Sequence, residues 1–167
     1  MAVAVVALIT VVATAFGASS ALTLSSASSA ALGKPVVVNP QGRTLYALSP
    51  ETSKHLLCKS KECFTNWPPL TVKSVKTKLK AGSGVSGKLA VLRRSNGTFQ
   101  VTLNGRPLYR FAGDKGKAEA NGEGIESFGG TWHAVKASST AATQPSMPST
   151  QSTPTTPTSP EPSPYKY

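Results

Sequence analysis

Carboxylates, histidines and cysteines are scarce in this 167-residue chain: seven Asp and Glu stand against 18 Lys and Arg, with two His and two Cys. So few acids leave little from which to build acid–base catalysis. A glycoside hydrolase needs two carboxylates facing each other across a cleft. Here Glu123 and Glu126 share a glycine-rich stretch, residues 122–130, with no partner suggested for either. Gly-x-Ser-x-Gly, His-Glu-x-x-His and phosphate-loop patterns are all missing. No catalytic residue is therefore assigned, no cofactor is expected, and the chain is read as a non-enzyme. No charge of either sign precedes Lys34.

What fills the uncharged start is apolar and small. Residues 1–16 are almost wholly apolar, and Gly, Ala, Ser, Thr and Leu continue to Gly33. An apolar core of that length with Ala13-Thr14-Ala15 behind it fits a secretory leader, although the basic residues that usually begin one are missing. The strictly apolar run is short for a membrane span of roughly 20 residues. Residues 1–33 are expected to be a signal peptide or N-terminal membrane anchor. This segment has no Cys to be acylated, so a lipid anchor is not expected there. Residues 138–167 are rich in Ser, Thr and Pro without apolar periodicity. Such a tail cannot bury enough surface to offset its ordering entropy and is expected to be disordered.

Between them, residues 34–137 have strand character. Pro35 to Val38 is a β-branched run closed by the turn Asn39-Pro40-Gln41-Gly42, with Thr44 to Leu48 as its hairpin partner. Lys88–Arg93, Thr98–Leu103 and Pro107–Phe111 form a three-stranded meander. Its turns are Ser95-Asn96-Gly97 and Asn104-Gly105, the latter suited to positive φ at both central positions. Thr131–Val135 is the last strand. Gly42-Arg43-Thr44-Leu45-Tyr46 recurs as Gly105-Arg106-Pro107-Leu108-Tyr109, and Trp67 recurs as Trp132. Two similar hairpin units are expected to pack into one mostly β domain, since neither could bury a face alone.

Cys58 and Cys63, in an exported chain, are expected to form a disulfide across a four-residue loop, worth roughly 2 kcal/mol. The alternative is a redox or metal-handling role, with His55, Cys58, Cys63 and His133 as weak metal candidates. The net charge of +11 suits anionic cell-wall or membrane-surface polymers as partners. Nucleic acid is not expected, because the leader directs the chain outward and no recognition-helix, RRM or KH pattern is present.

The ordered set Cys58-x4-Cys63, Trp67-Pro68-Pro69-Leu70, Gly97–Val101, Gly105–Asp114 and Gly129-Gly130-Thr131-Trp132 resembles the bacterial family known as secreted repeat of unknown function. These are predicted lipoproteins with a Tyr-x-(Phe/Trp/Tyr)-x-x-Asp motif. The resemblance runs from about Pro35 to Val135 and implies an extracytoplasmic location without an assigned activity. Tyr109, Phe111 and Asp114 fit the motif. The first copy departs from it, with Leu48 for the aromatic and Glu51 for the acid after Tyr46. In a strand Tyr109 and Phe111 share one face. Asp114 falls in a turn, where its carboxylate can accept backbone N–H groups.

Overall fold

The computed structural model describes residues 21–138. The folded unit begins before Lys34, the start expected from sequence. Leu22–Ser29 is a strand, β1, and Leu24 within it is fully buried. It pairs antiparallel with β2 (Lys34–Val38), from Ser25 opposite Val38 to Ser29 opposite Lys34. Its other edge carries β5 (Leu79–Ala81) in parallel. The end of the apolar stretch assigned to the leader is thus the middle strand of a sheet. All of the expected tail but Ser138 lies outside the described residues.

The predicted meander is present. β6 (Leu89–Arg93) pairs antiparallel with β7 (Phe99–Leu103), and β7 pairs with β8 (Arg106–Pro107) and with β4 (Thr71–Val72). The Asn104-Gly105 turn has φ of 51° and 76° at its two residues, as the dipeptide demands. Thr44–Leu48 departs from the simple hairpin predicted for it. Thr44 bridges Val38 and Leu45 N–H bonds Val37 at 2.9 Å, but β3 (Tyr46–Ser49) then leaves to pair with β10 (Gly130–Ala134). β9 (Glu126–Ser127) lies on the far side of β10.

The one helix among the described residues, α1 (Lys61–Asn66), is short and capped; it begins between the two cysteines, contains Cys63 and ends at Trp67. Ser60 Oγ accepts the Cys63 N–H, and Trp67 closes the other end through its N–H to the Cys63 carbonyl. Pro68 and Pro69 prevent continuation. Cys58 and Cys63 are joined with Cα atoms 5.7 Å apart, as expected.

The internal repeat extends to the hydrogen bonds. Leu45 N–H to Val37 O has its counterpart in Leu108 N–H to Val101 O. Val135 N–H to Leu45 O matches Leu70 N–H to Leu108 O, and Val37 N–H to Val135 O matches Val101 N–H to Leu70 O. At the centre, Tyr46 and Tyr109 exchange both backbone bonds with each other, at 2.8 and 2.9 Å. The two copies are thus related by an approximate two-fold axis between these tyrosines, and each lends a strand to the other. The β1–β2 and β6–β7 hairpins occupy equivalent places. Alternation along the central strands splits the core. Leu45 and Leu108 join Leu24, Val37, Leu70 and Val101 in one cluster. Tyr46, Tyr109, Trp67 and Trp132 fill the other, beside the disulfide.

Candidate functional site

Every aromatic residue singled out by the repeat meets its counterpart at the pseudo-axis. Trp67 and Trp132 stack with ring centroids 3.9 Å apart and planes 6° off parallel. Tyr46 meets the edge of Trp67, Tyr109 that of Trp132, and Phe111 packs on Trp67 at 4.5 Å. The two tyrosines are fully buried, so each hydroxyl needs a partner inside the protein.

Those partners are exchanged between the copies. Tyr46, of the first copy, donates to Asp114 Oδ2 of the second at 2.8 Å; Tyr109, of the second, donates to Glu51 Oε2 of the first at 2.8 Å. Asp114 therefore does meet a motif tyrosine, but the other copy's. Its second oxygen accepts the Asn121 N–H at 3.0 Å, the backbone role expected of a turn aspartate. Glu51, which departs from the motif by one methylene, occupies the place equivalent to Asp114. Its Oε1 accepts the N–H groups of Leu57 and Cys58, which docks the disulfide loop onto it.

Sequence reasoning missed Arg94. Its guanidinium is buried and donates to the Tyr109 hydroxyl, to Gln100 Oε1 and to the Cys58 carbonyl, the last at 2.8 Å. It also lies over the Phe64 ring at 5.1 Å. Gln100 passes the chain on to the Leu108 carbonyl. Glu51 and Arg94 are thus a buried pair of opposite charges bridged by a phenol. Burial above all raises the Tyr46 and Tyr109 phenols, and it also raises the Asp114 carboxyl. With these polar side chains partnered and buried, the arrangement joins two halves and presents no nucleophile to a substrate.

The metal candidates do not assemble. Cys58 and Cys63 are bonded and fully buried. His55 sits exposed on the turn it closes with Thr52, while His133 faces outward from β10 beside Glu123, 2.9 Å away. Among the described residues no cluster of three His, Cys, Asp or Glu could hold a metal ion.

The charge lies elsewhere. Lys73, Lys76, Lys78, Lys80 and Lys88 are all exposed along the segment that joins the two copies, and among the described residues no carboxylate pairs with them. Lys54, Lys59 and Lys61 are exposed around the disulfide loop. No helix among the described residues is long and apolar enough to cross a membrane.

Residues 90–136 match the family described as secreted repeat of unknown function, the family that the motifs resemble. The match spans the second copy, from β6 to the end of β10. No curated protein and no solved structure matches the chain.

Proposed function

We propose that this protein is a secreted, non-enzymatic binding module that holds to anionic polymers of the cell envelope through the lysine segment between its two copies. The observation that carries this reading is the run Lys73, Lys76, Lys78, Lys80 and Lys88, exposed and without acidic partners among the described residues. A linker that only had to join two halves has no need of five unneutralised ammonium groups. Exposed cations a few residues apart attract a polyanion or an anionic lipid surface, and ionic strength screens that attraction. The secreted character of the matching family supports the location, and the Ser/Thr/Pro-rich tail supports a spacer role.

The test is retention on isolated cell envelopes. At about 1 kcal/mol per lysine near an anionic surface, replacing Lys73, Lys76, Lys78 and Lys80 together by Gln should weaken binding by on the order of several hundredfold. Salt near 1 M, where the screening length is about 3 Å, should release the unaltered protein. Retention unchanged in both cases would refute the electrostatic reading.

A further inference from the structure

The pseudo-two-fold relates two hollows on the surface, and one of them is much smaller than the other. The 63-residue offset that carries Leu45 onto Leu108 carries Ala47 onto Arg110, Ser49 onto Ala112 and Arg43 onto Arg106. The 65-residue offset that carries Trp67 onto Trp132 carries Pro68 onto His133. Arg43, Pro68, Arg110 and Ala112 line a hollow of about 110 Å³. Their counterparts Arg106, His133, Ala47 and Ser49 line one of about 480 Å³. Where one copy places an arginine side chain the other has a methyl group, and where one has a proline the other has an imidazole.

The larger hollow is fixed by its strands. Ala47 lies directly opposite His133 in the β3–β10 ladder, so both side chains leave the same face of the sheet. Leu48 and Trp132, also opposite each other, point the other way into the core. Leu103, Leu108 and Val135 supply an apolar floor, and Arg106 and Lys136 stand at the rim. Arg43, in the smaller hollow, donates its guanidinium to the Gly116 carbonyl at 3.0 Å. Arg106 has no such partner among the described residues. Glu123 is held on both oxygens, by His133 Nδ1 at 2.9 Å and by the Ala134 N–H at 2.7 Å. That contact orients the imidazole and leaves its Nε2 free for a ligand.

We infer that this hollow is a binding site for a small amphiphilic monoanion: an apolar body on the Leu103–Leu108–Val135 floor and one carboxylate between Arg106 and Lys136. The planar Arg106 fork matches a carboxylate. With Glu123 beside Arg106 and Lys136 the lining carries one net positive charge, which a single carboxylate neutralises. None of the linker lysines is part of this lining. Lys88 touches it through its backbone N–H, which donates to Asn104 Oδ1 at 2.8 Å. Lys73, Lys76, Lys78 and Lys80 make no hydrogen bond to it among the described residues, so the polymer contact can be altered apart from the site.

The experiment is an amide NMR titration of the full chain with hexanoate, alongside hexanamide and hexyl phosphate. Hexanoate should shift the signals of Ala47, Ser49, Arg106, His133 and Lys136 saturably, and hexanamide should bind at least tenfold more weakly. Ala47→Arg, which installs the residue of the smaller hollow, should remove binding. Arg106→Gln, an exposed change that keeps the proposal testable if Ala47→Arg misfolds, should weaken it about tenfold. The lysine-segment variant should bind hexanoate as the unaltered protein does, so the two readings can fail separately. Shifts confined to the lysine segment, equal binding of hexanamide, tighter binding of hexyl phosphate, or no saturable shift would each overturn the inference.

Discussion

The Tyr109 hydroxyl donates to Glu51 and accepts from Arg94, whereas the Tyr46 hydroxyl donates to Asp114 and accepts the Gly122 N–H at 3.3 Å. Removing the first leaves two buried charged groups short of a partner; removing the second leaves one carboxylate that also holds Asn121, and the Gly122 N–H, whose bond at 3.3 Å is the weaker one. Tyr109→Phe should therefore cost about 3 kcal/mol and Tyr46→Phe about 1 kcal/mol, read from urea unfolding. Equal costs would mean that Arg94 does not depend on Tyr109. The same phenols set the alkaline limit of stability. An unfolded tyrosine ionises near pH 10, and burial raises both in the fold. A group raised on folding contributes stability that is complete below its unfolded value and lost as the pH climbs toward its folded one. Stability should begin to fall near pH 10, and Tyr46→Phe should flatten that fall by one proton, about 1.4 kcal/mol per pH unit. An unaltered slope would show that Tyr46 ionises within the native state.

At the level of elements, what was legible in the sequence was what neighbouring residues determine. Asn104-Gly105 requires two positive φ values and so announces the hairpin of β7 and β8; Gly42 and Gly97 close their turns in the same region of φ. α1 escaped because six residues are too few for helical periodicity, although Ser60 as N-cap and Pro68 as stop bracket it. β1 escaped for a different reason: its Leu, Ser, Thr and Ala continue the composition of the apolar start. The repeat held the missing signal. β6 and β7 form a hairpin, and the same offset applied upstream demands a strand before β2. Two chains test its importance, one starting at Ala21 and one at Lys34. The longer should keep its full melting temperature. The shorter loses Leu24, for which side-chain truncation alone is worth about 2–5 kcal/mol, and it exposes the edges of β2 and β5. It should be unfolded or aggregated by circular dichroism and sedimentation. A folded chain from Lys34 would make β1 dispensable and would restore the later boundary.

Over the whole molecule, the side-chain exchange was hidden because its partners lie 68 and 58 positions apart. Motif reading assigns Tyr109 to Asp114 within one copy and treats Glu51 as a lapse in the other. The fold crosses them instead, since the tyrosines sit on the pseudo-axis and each points into the opposite half. The consequence is that neither half owns a complete core. Residues 21–85 retain Trp67, Tyr46 and Glu51 but lose Trp132, Asp114 and Arg94; residues 86–138 have the converse deficit. Each fragment alone would expose one face of a Trp–Trp stack and leave charged groups without their partners. Each should therefore give the narrow amide spectrum of an unfolded chain. Mixed in equal amounts they should recover the dispersed spectrum of the intact domain, because the lost covalent link costs only association entropy while the exchanged bonds and the stacked rings are regained. The variant Tyr109→Phe in the second fragment should weaken that association by roughly a hundredfold, the same 3 kcal/mol expressed as a binding constant. A fragment that folds by itself, with its aromatic signals unchanged by the other, would show that the copies are independent units and that their exchange of tyrosines is incidental.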